Sequence, residues 1–349
     1  MSKLLPRTER PSLAGLAEQW PGRPLAILFL ACIALVIARS QDILARYVAL
    51  QATWPPPPFA GSEWGHPEPL SFAFVAMRVS WLAVIASLPG LVALVLLGRR
   101  HGLPGSTVLT AMLTGFVVLE VLGTPLPQFV RAVIGMAGPD GRSDNPATFV
   151  VAPVVEELLK LLAIVLVVVV ARLRVGIRGG VVIGAAVGLG ITVGETASYS
   201  LVELVQRDDY DVLFIVAMRF ALLGAGLHAS TAALTGAGLG LWMKLARRSS
   251  QGALALVASL ALAMLTHGAW NRLSEDLGNS LMVPFGAAGG LPVVAFFVGS
   301  VAALPFLAAA WVVLAVAWRR GRPPGSAASP NLSAPVERTT PDGVTLPVS

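Results

Sequence analysis

Charged residues are scarce in this chain: Asp, Glu, Lys and Arg make up 13% of 349 residues, about half the share usual in a soluble domain. With 55% hydrophobic residues and apolar runs of about 20 residues, lipid is the expected solvent for most of the chain. Cysteine is almost missing. Cys32 is the single one and lies in the first apolar run, which excludes an intrachain disulfide and a cysteine-built zinc site. Histidine is sparse too, with four residues and no His-Glu-x-x-His sequence, so the common helical zinc-protease motif is absent. No polar stretch is long enough for a separate domain, and no repeat of fixed period occurs. The net charge of +6 does not point to nucleic acid, because the basic residues sit in short loops between apolar segments, as the positive-inside rule requires.

What is present reads as an all-α, polytopic transmembrane helical bundle. Eight spans are expected, over residues 24–39, 70–97, 105–123, 148–171, 179–203, 222–243, 253–272 and 291–318. Arg99 and Arg100, the turn with Arg172, Arg174 and Arg178, then Lys244, Arg247 and Arg248, and finally Arg319, Arg320 and Arg322 fall at every second crossing. This bias, with Lys3, Arg7, Arg10 and Arg23 before the first span, places both termini in the cytoplasm. Residues 1–23 are then a cytoplasmic segment ahead of a retained anchor rather than a cleaved signal peptide. Residues 24–318 form the bundle, and 319–349, rich in Pro, Ser and Gly, form a disordered cytoplasmic tail. The expected location is a bacterial plasma membrane.

Ionisable groups inside a span cost a few kcal/mol each, so each needs a reason to be there. The fourth span opens with Pro153-Val-Val-Glu156-Glu157-Leu-Leu-Lys160, and the fifth holds Gly194-Glu195-Thr-Ala-Ser-Tyr199. His228 lies in the sixth, and the seventh carries His267-Gly-Ala-Trp270-Asn271. At 1.5 Å per residue, Glu156 and Glu157 lie roughly 12 Å below the outer end of their span. Glu195 and His267 fall at a similar depth. His228 joins them if the apolar stretch 212–243, too long for one span, breaks near Gly224 or Gly226. Four helices then aim polar groups at one layer.

Helical spacing sharpens this. Glu156 and Lys160 are four apart, so the ammonium can neutralise one carboxylate of the pair. Glu195 shares a face with Tyr199, and His267 with Asn271. A glutamate beside a histidine is equipment for activating water against an amide carbonyl, and the His267/Asn271 face can donate hydrogen bonds to the oxyanion. On this reading Glu156 is the base, His228 helps to hold the water, Glu157 and Glu195 orient or neutralise, and Lys160 balances charge. Arg78 and Glu120, also within spans, are expected to pair between the second and third helices.

These motifs, in this order on successive spans, resemble the PrsW family of intramembrane proteases, over roughly 148–275. The family is similar in motif layout to the type II CAAX prenyl endopeptidases, but Lys160 at the fourth position after Glu156 favours PrsW. Thr196 follows Glu195 where many members have Asn. The resemblance implies hydrolysis of a peptide bond in a membrane-bound protein, with an anti-sigma-type single-span protein as a candidate substrate. Either no metal or one divalent, zinc-like ion is compatible with the groups. The candidate ligands are Glu157, Glu195, His228 and His267, while the local pattern leans towards a metal-independent glutamate mechanism. Two rivals remain. A non-catalytic scaffold or immunity-type protein would keep the polar cluster for packing. A proton-coupled transporter would use it as a relay, but the paired broken helices of inverted repeats are missing.

Overall fold

The computed structural model describes residues 24–35, 69–123, 148–206, 224–245, 250–282, 291–321, 338–339 and 345–346, with positions 38, 126 and 130. Among them are eight helices. They are α1 (Pro24–Leu35), α2 (Pro69–Arg100), α3 (Gly105–Val118), α4 (Thr148–Val170), α5 (Ile177–Gln206), α6 (Gly224–Leu245), α7 (Ser250–Met282) and α8 (Leu291–Arg320). The third span does not stay α-helical to its end: α3 passes into a π-helical turn, Leu119–Gly123. In the segment expected to be a disordered tail, Arg338–Thr339 and Thr345–Leu346 pair as a minimal antiparallel ladder.

Among the described residues, four segments are long and apolar enough to cross a membrane: Trp81–Arg100, Gly105–Gly123, Ile177–Ala197 and Ser250–Leu273. α4 differs from these in carrying Glu156, Glu157 and Lys160, and α6 in being built largely from Gly, Ala and Thr. Both lower the apolarity of a helix for reasons that belong to the site and the packing.

α5 is the hub. It packs on α6, α3 and α2, while α7 packs on α8, α6 and α4. Small residues make the close approaches possible. A Cβ on Gly180 would collide with the Gly236 carbonyl, on Gly184 with that of Ala232, on Gly188 with that of His228, and on Gly190 with that of Met112. Thr192 and Thr196 turn their hydroxyls back onto the carbonyls of Gly188 (3.0 Å) and Thr192 (2.6 Å), which removes their polarity from the apolar layer. The core assembles around Val108, Ala111, Ile164, Val167, Val182, Ile183, Val187 and Leu239. Outside, Leu158, Leu162 and Val169 of α4 and Leu254, Val257 and Leu265 of α7 are exposed, as lipid-facing stripes are.

Candidate active site

Burial of a charge demands a partner, and the first half of α4 supplies one internally. Glu157 and Lys160 are both fully buried, three residues apart, with Nζ 2.5 Å from Oε1. The lysine thus pairs with Glu157 rather than with Glu156, the partner expected from the four-residue spacing. The reason is rotational. Glu157 is the carboxylate turned into the bundle, towards α6 and α7, whereas Glu156 keeps 14% exposure. Lys160 also donates to Thr231 Oγ1 on α6 at 3.1 Å.

Two histidines are each held by a carboxylate. His267 on α7 meets Glu157 Oε1 through Nδ1 at 2.9 Å, and its Nε2 lies 3.6 Å from Glu156 Oε2. His228, one turn into α6, meets Glu195 Oε2 through Nε2 at 2.5 Å. The two rings stand edge to face, with centroids 5.1 Å apart. Glu195 is 19% exposed against 4% for His228. The site is therefore most open on the side of Glu156 and Glu195.

Ligand atoms from Glu156, His228 and His267 lie within 4.8 Å of one another. Glu156 Oε2 and His228 Nδ1 are buried without a hydrogen-bond partner among the described residues. Two imidazoles and a carboxylate, each imidazole held at its other nitrogen by a glutamate, are a donor set that fits a catalytic zinc-like ion. Among the ligands expected from the sequence, His228 and His267 are in this group. Glu157 and Glu195 instead contact the histidines from behind.

Five of the six residues expected to be catalytic, Glu156, Glu157, Glu195, His228 and His267, meet in one cluster. Asn271 lies one turn beyond His267, half-buried. Tyr199 is on α5, its side chain outside the described residues. One neighbour, Thr231, escaped the sequence reading, and another, Glu120, was read only as half of an ion pair. Thr231 sits three residues after His228, a spacing that already placed it on that face. Glu120, in the π-turn, holds its carboxylate over Gly194, where a Cβ would lie 3.0 Å from Oε1. The expected partner, Arg78, has a side chain outside the described residues.

A helical, largely apolar chain that buries a Glu/His/His cluster has the make-up of a membrane-embedded hydrolase. Residues 103–318 match the PrsW family intramembrane metalloprotease. The match covers more than half of the chain, so the chain belongs to this family and is an integral membrane peptidase. No curated protein and no solved structure matches it.

Proposed function

We propose that the protein is an endopeptidase that cuts a membrane-bound protein, of the single-span anti-sigma kind, with Glu156, His228 and His267 holding one divalent, zinc-like ion. The observation that carries this reading is the convergence of those three donors within 4.8 Å. When bound, such an ion makes water a nucleophile near neutral pH and polarises the scissile carbonyl. The remaining residues hold the histidines in place. Glu157, fixed by Lys160, engages His267 Nδ1 and leaves Nε2 turned towards Glu156. Glu195 engages His228 Nε2 and leaves Nδ1 directed away from it. Asn271 donates to the developing oxyanion, and Tyr199 supports the Glu195 face.

A second reading keeps the same residues without an ion. Glu156 then takes the proton of a water held by His228, and its residual exposure beside His267 favours this. In both readings the eight helices cross the bilayer with the termini in the cytoplasm. The catalytic core spans 148–275 within the 24–318 bundle, and the membrane is a bacterial plasma membrane.

The test uses purified wild type, Glu156→Gln and His228→Ala in liposomes with single-span membrane peptides, after each variant is shown to be folded. Metal content is measured on the same samples. About one ion per chain in wild type, lost with cleavage in both variants, is the expected result. Cleavage by metal-free wild type that Glu156→Gln abolishes would select the second reading. Folded variants that still cleave would sink both.

A further inference from the structure

The helix ends away from the catalytic cluster carry charge of one sign. Arg99 and Arg100 close α2, Arg172 and Arg174 lie in the α4–α5 turn, Arg178 opens α5, Lys244 closes α6, and Arg319 and Arg320 close α8. The acidic side chains described, Glu120, Glu156, Glu157 and Glu195, all belong to the other half.

Three of the basic ends meet around one indole. The Arg178 guanidinium lies over the Trp318 ring, 5.0 Å from its centroid, and its Nε donates to the Trp318 carbonyl at 3.0 Å. His101, just past the end of α2, meets the same ring edge-on at 4.9 Å. Burial, then Arg178 and Arg100, hold its imidazole below the usual histidine range. The Arg178 guanidinium and the His101 imidazole thus share one indole, with Arg100 next in the chain acting on the same imidazole and no described carboxylate beside them. Like charges so placed repel, and an anion is what relieves them.

The surroundings say which anion. Directly along α2 from this cluster, Val92 and Leu96 are exposed, and along α8 so are Val312 and Val316. A ligand seated on His101 and Arg178 would therefore have apolar helix faces running away from it along the bundle. Free phosphate has nothing to place there; a phospholipid has its acyl chains. Basic pockets between transmembrane helices, with Trp at the interface, are the usual setting for anionic headgroups.

We propose that Arg100, His101, Arg178 and Trp318 form a binding site for the headgroup of an anionic phospholipid, which joins the end of α8 to the start of α5. This rests on the membrane character of the chain and is independent of the protease chemistry.

The test uses the full-length protein in nanodiscs of phosphatidylcholine, with and without phosphatidylglycerol, read by thermal unfolding and by native mass spectrometry of retained lipid. Wild type should unfold at a higher temperature with phosphatidylglycerol and retain it. Arg100→Gln, an exposed substitution with little bearing on folding, should weaken retention about fivefold, as one cation near a membrane surface implies. Arg178→Gln should do the same and also loosen α8. Arg174→Gln and Lys244→Gln, outside the cluster, should leave retention unchanged.

The site has a pH signature. Its imidazole faces Arg100 from α2, Arg178 from α5 and the uncharged Trp318 from α8. In phosphatidylcholine the folded protein binds a proton at His101 more weakly than the unfolded chain does, so this residue costs stability as pH falls below about 6.5. A bound phosphate reverses that preference. The phosphatidylglycerol shift should therefore grow on acidification in wild type but not in His101→Gln. Equal shifts with both lipids, or equal losses in the Arg174→Gln and Lys244→Gln controls, would overturn the site in favour of a diffuse surface charge. An equal shift with soluble glycerol phosphate would overturn the lipid.

Discussion

Lys160 shows how much rests on single residues here. It is fully buried, and its contacts are Glu157 and Thr231. Lys160→Met leaves Glu157 charged and uncompensated, an error worth about 3–5 kcal/mol. Thermal unfolding in detergent should show a large drop, and Glu157→Gln added to Lys160→Met should recover much of it. Thr231→Val is milder: the ammonium loses one acceptor but keeps its carboxylate, for about 1–2 kcal/mol. If Lys160 acts only through packing, the double variant would be no better than the single. At this scale the sequence was most readable for the groups themselves. A glutamate or histidine inside an apolar run is costly enough to announce itself, which is why Glu156, Glu157, Glu195, His228 and His267 could be named before their contacts were known. It was least readable for pairing. Positions three and four residues apart lie on nearly the same face, so whether Lys160 takes Glu156 or Glu157 depends on how α4 is rotated, and neighbouring helices set that.

Elements end here by backbone geometry that can be tested. α2 stops in a left-handed residue, Gly102 at φ 76°, with Leu103 N bonding back to Gly98 O at 2.9 Å and Gly102 N to Arg99 O at 3.1 Å. α4 stops in the same pattern, Leu173 N to Val168 O at 2.9 Å and Arg172 N to Val169 O at 3.0 Å, but with Arg172 in the left-handed position at φ 52°. Glycine is the residue suited to that position. Arg172→Gly should therefore raise stability by up to about 1 kcal/mol, and Gly102→Ala should lower it by about 1–2 kcal/mol. Urea or thermal unfolding of the two variants side by side checks both signs. The α5 seam gives a harsher outcome. Gly184→Ala and Gly190→Ala push a methyl into a carbonyl of the neighbouring helix and should each cost about 1–3 kcal/mol. Gly176→Ala meets nothing within 4 Å and serves as the control. Helix positions were legible from the apolar runs to within a few residues except at the end of α7, expected at 272 and found at Met282; the described part of α6 begins at Gly224, and the stretch before it lies outside the described residues. The π-turn at the end of α3 was not legible, because one extra residue in a turn leaves no mark in hydropathy.

For the whole molecule, the sequence showed that the chain is helical and built for lipid, and the helices confirm this. It could not show which helix would be central. α5 is the most enclosed of the four apolar segments because its glycines let α6 and α3 approach closely, a property of pairs of surfaces that no single window reveals. The arrangement also predicts the effect of metal. If Glu156, His228 and His267 share an ion, chelation should lower the unfolding temperature of wild type. It should do nothing to His228→Ala, since binding to the folded state alone is stabilising by mass action. An equal response from both proteins would remove the ion from these three residues.

The three ionisable residues of α4 bear on how the protein is made. On insertion scales three buried charges cost together about 8–10 kcal/mol, enough to offset most of what the valines and leucines of α4 gain from lipid. If α4 crosses the bilayer as proposed, it is therefore poorly suited to entering it alone. Lys160 needs Thr231 from α6 and Glu157 needs His267 from α7, and both are synthesised after α4. During biogenesis, then, α4 should wait at the insertion machinery or at the interface until α6 and α7 emerge. Chains truncated after residue 206 should leave α4 open to labelling from water, and chains extended through α7 should protect it.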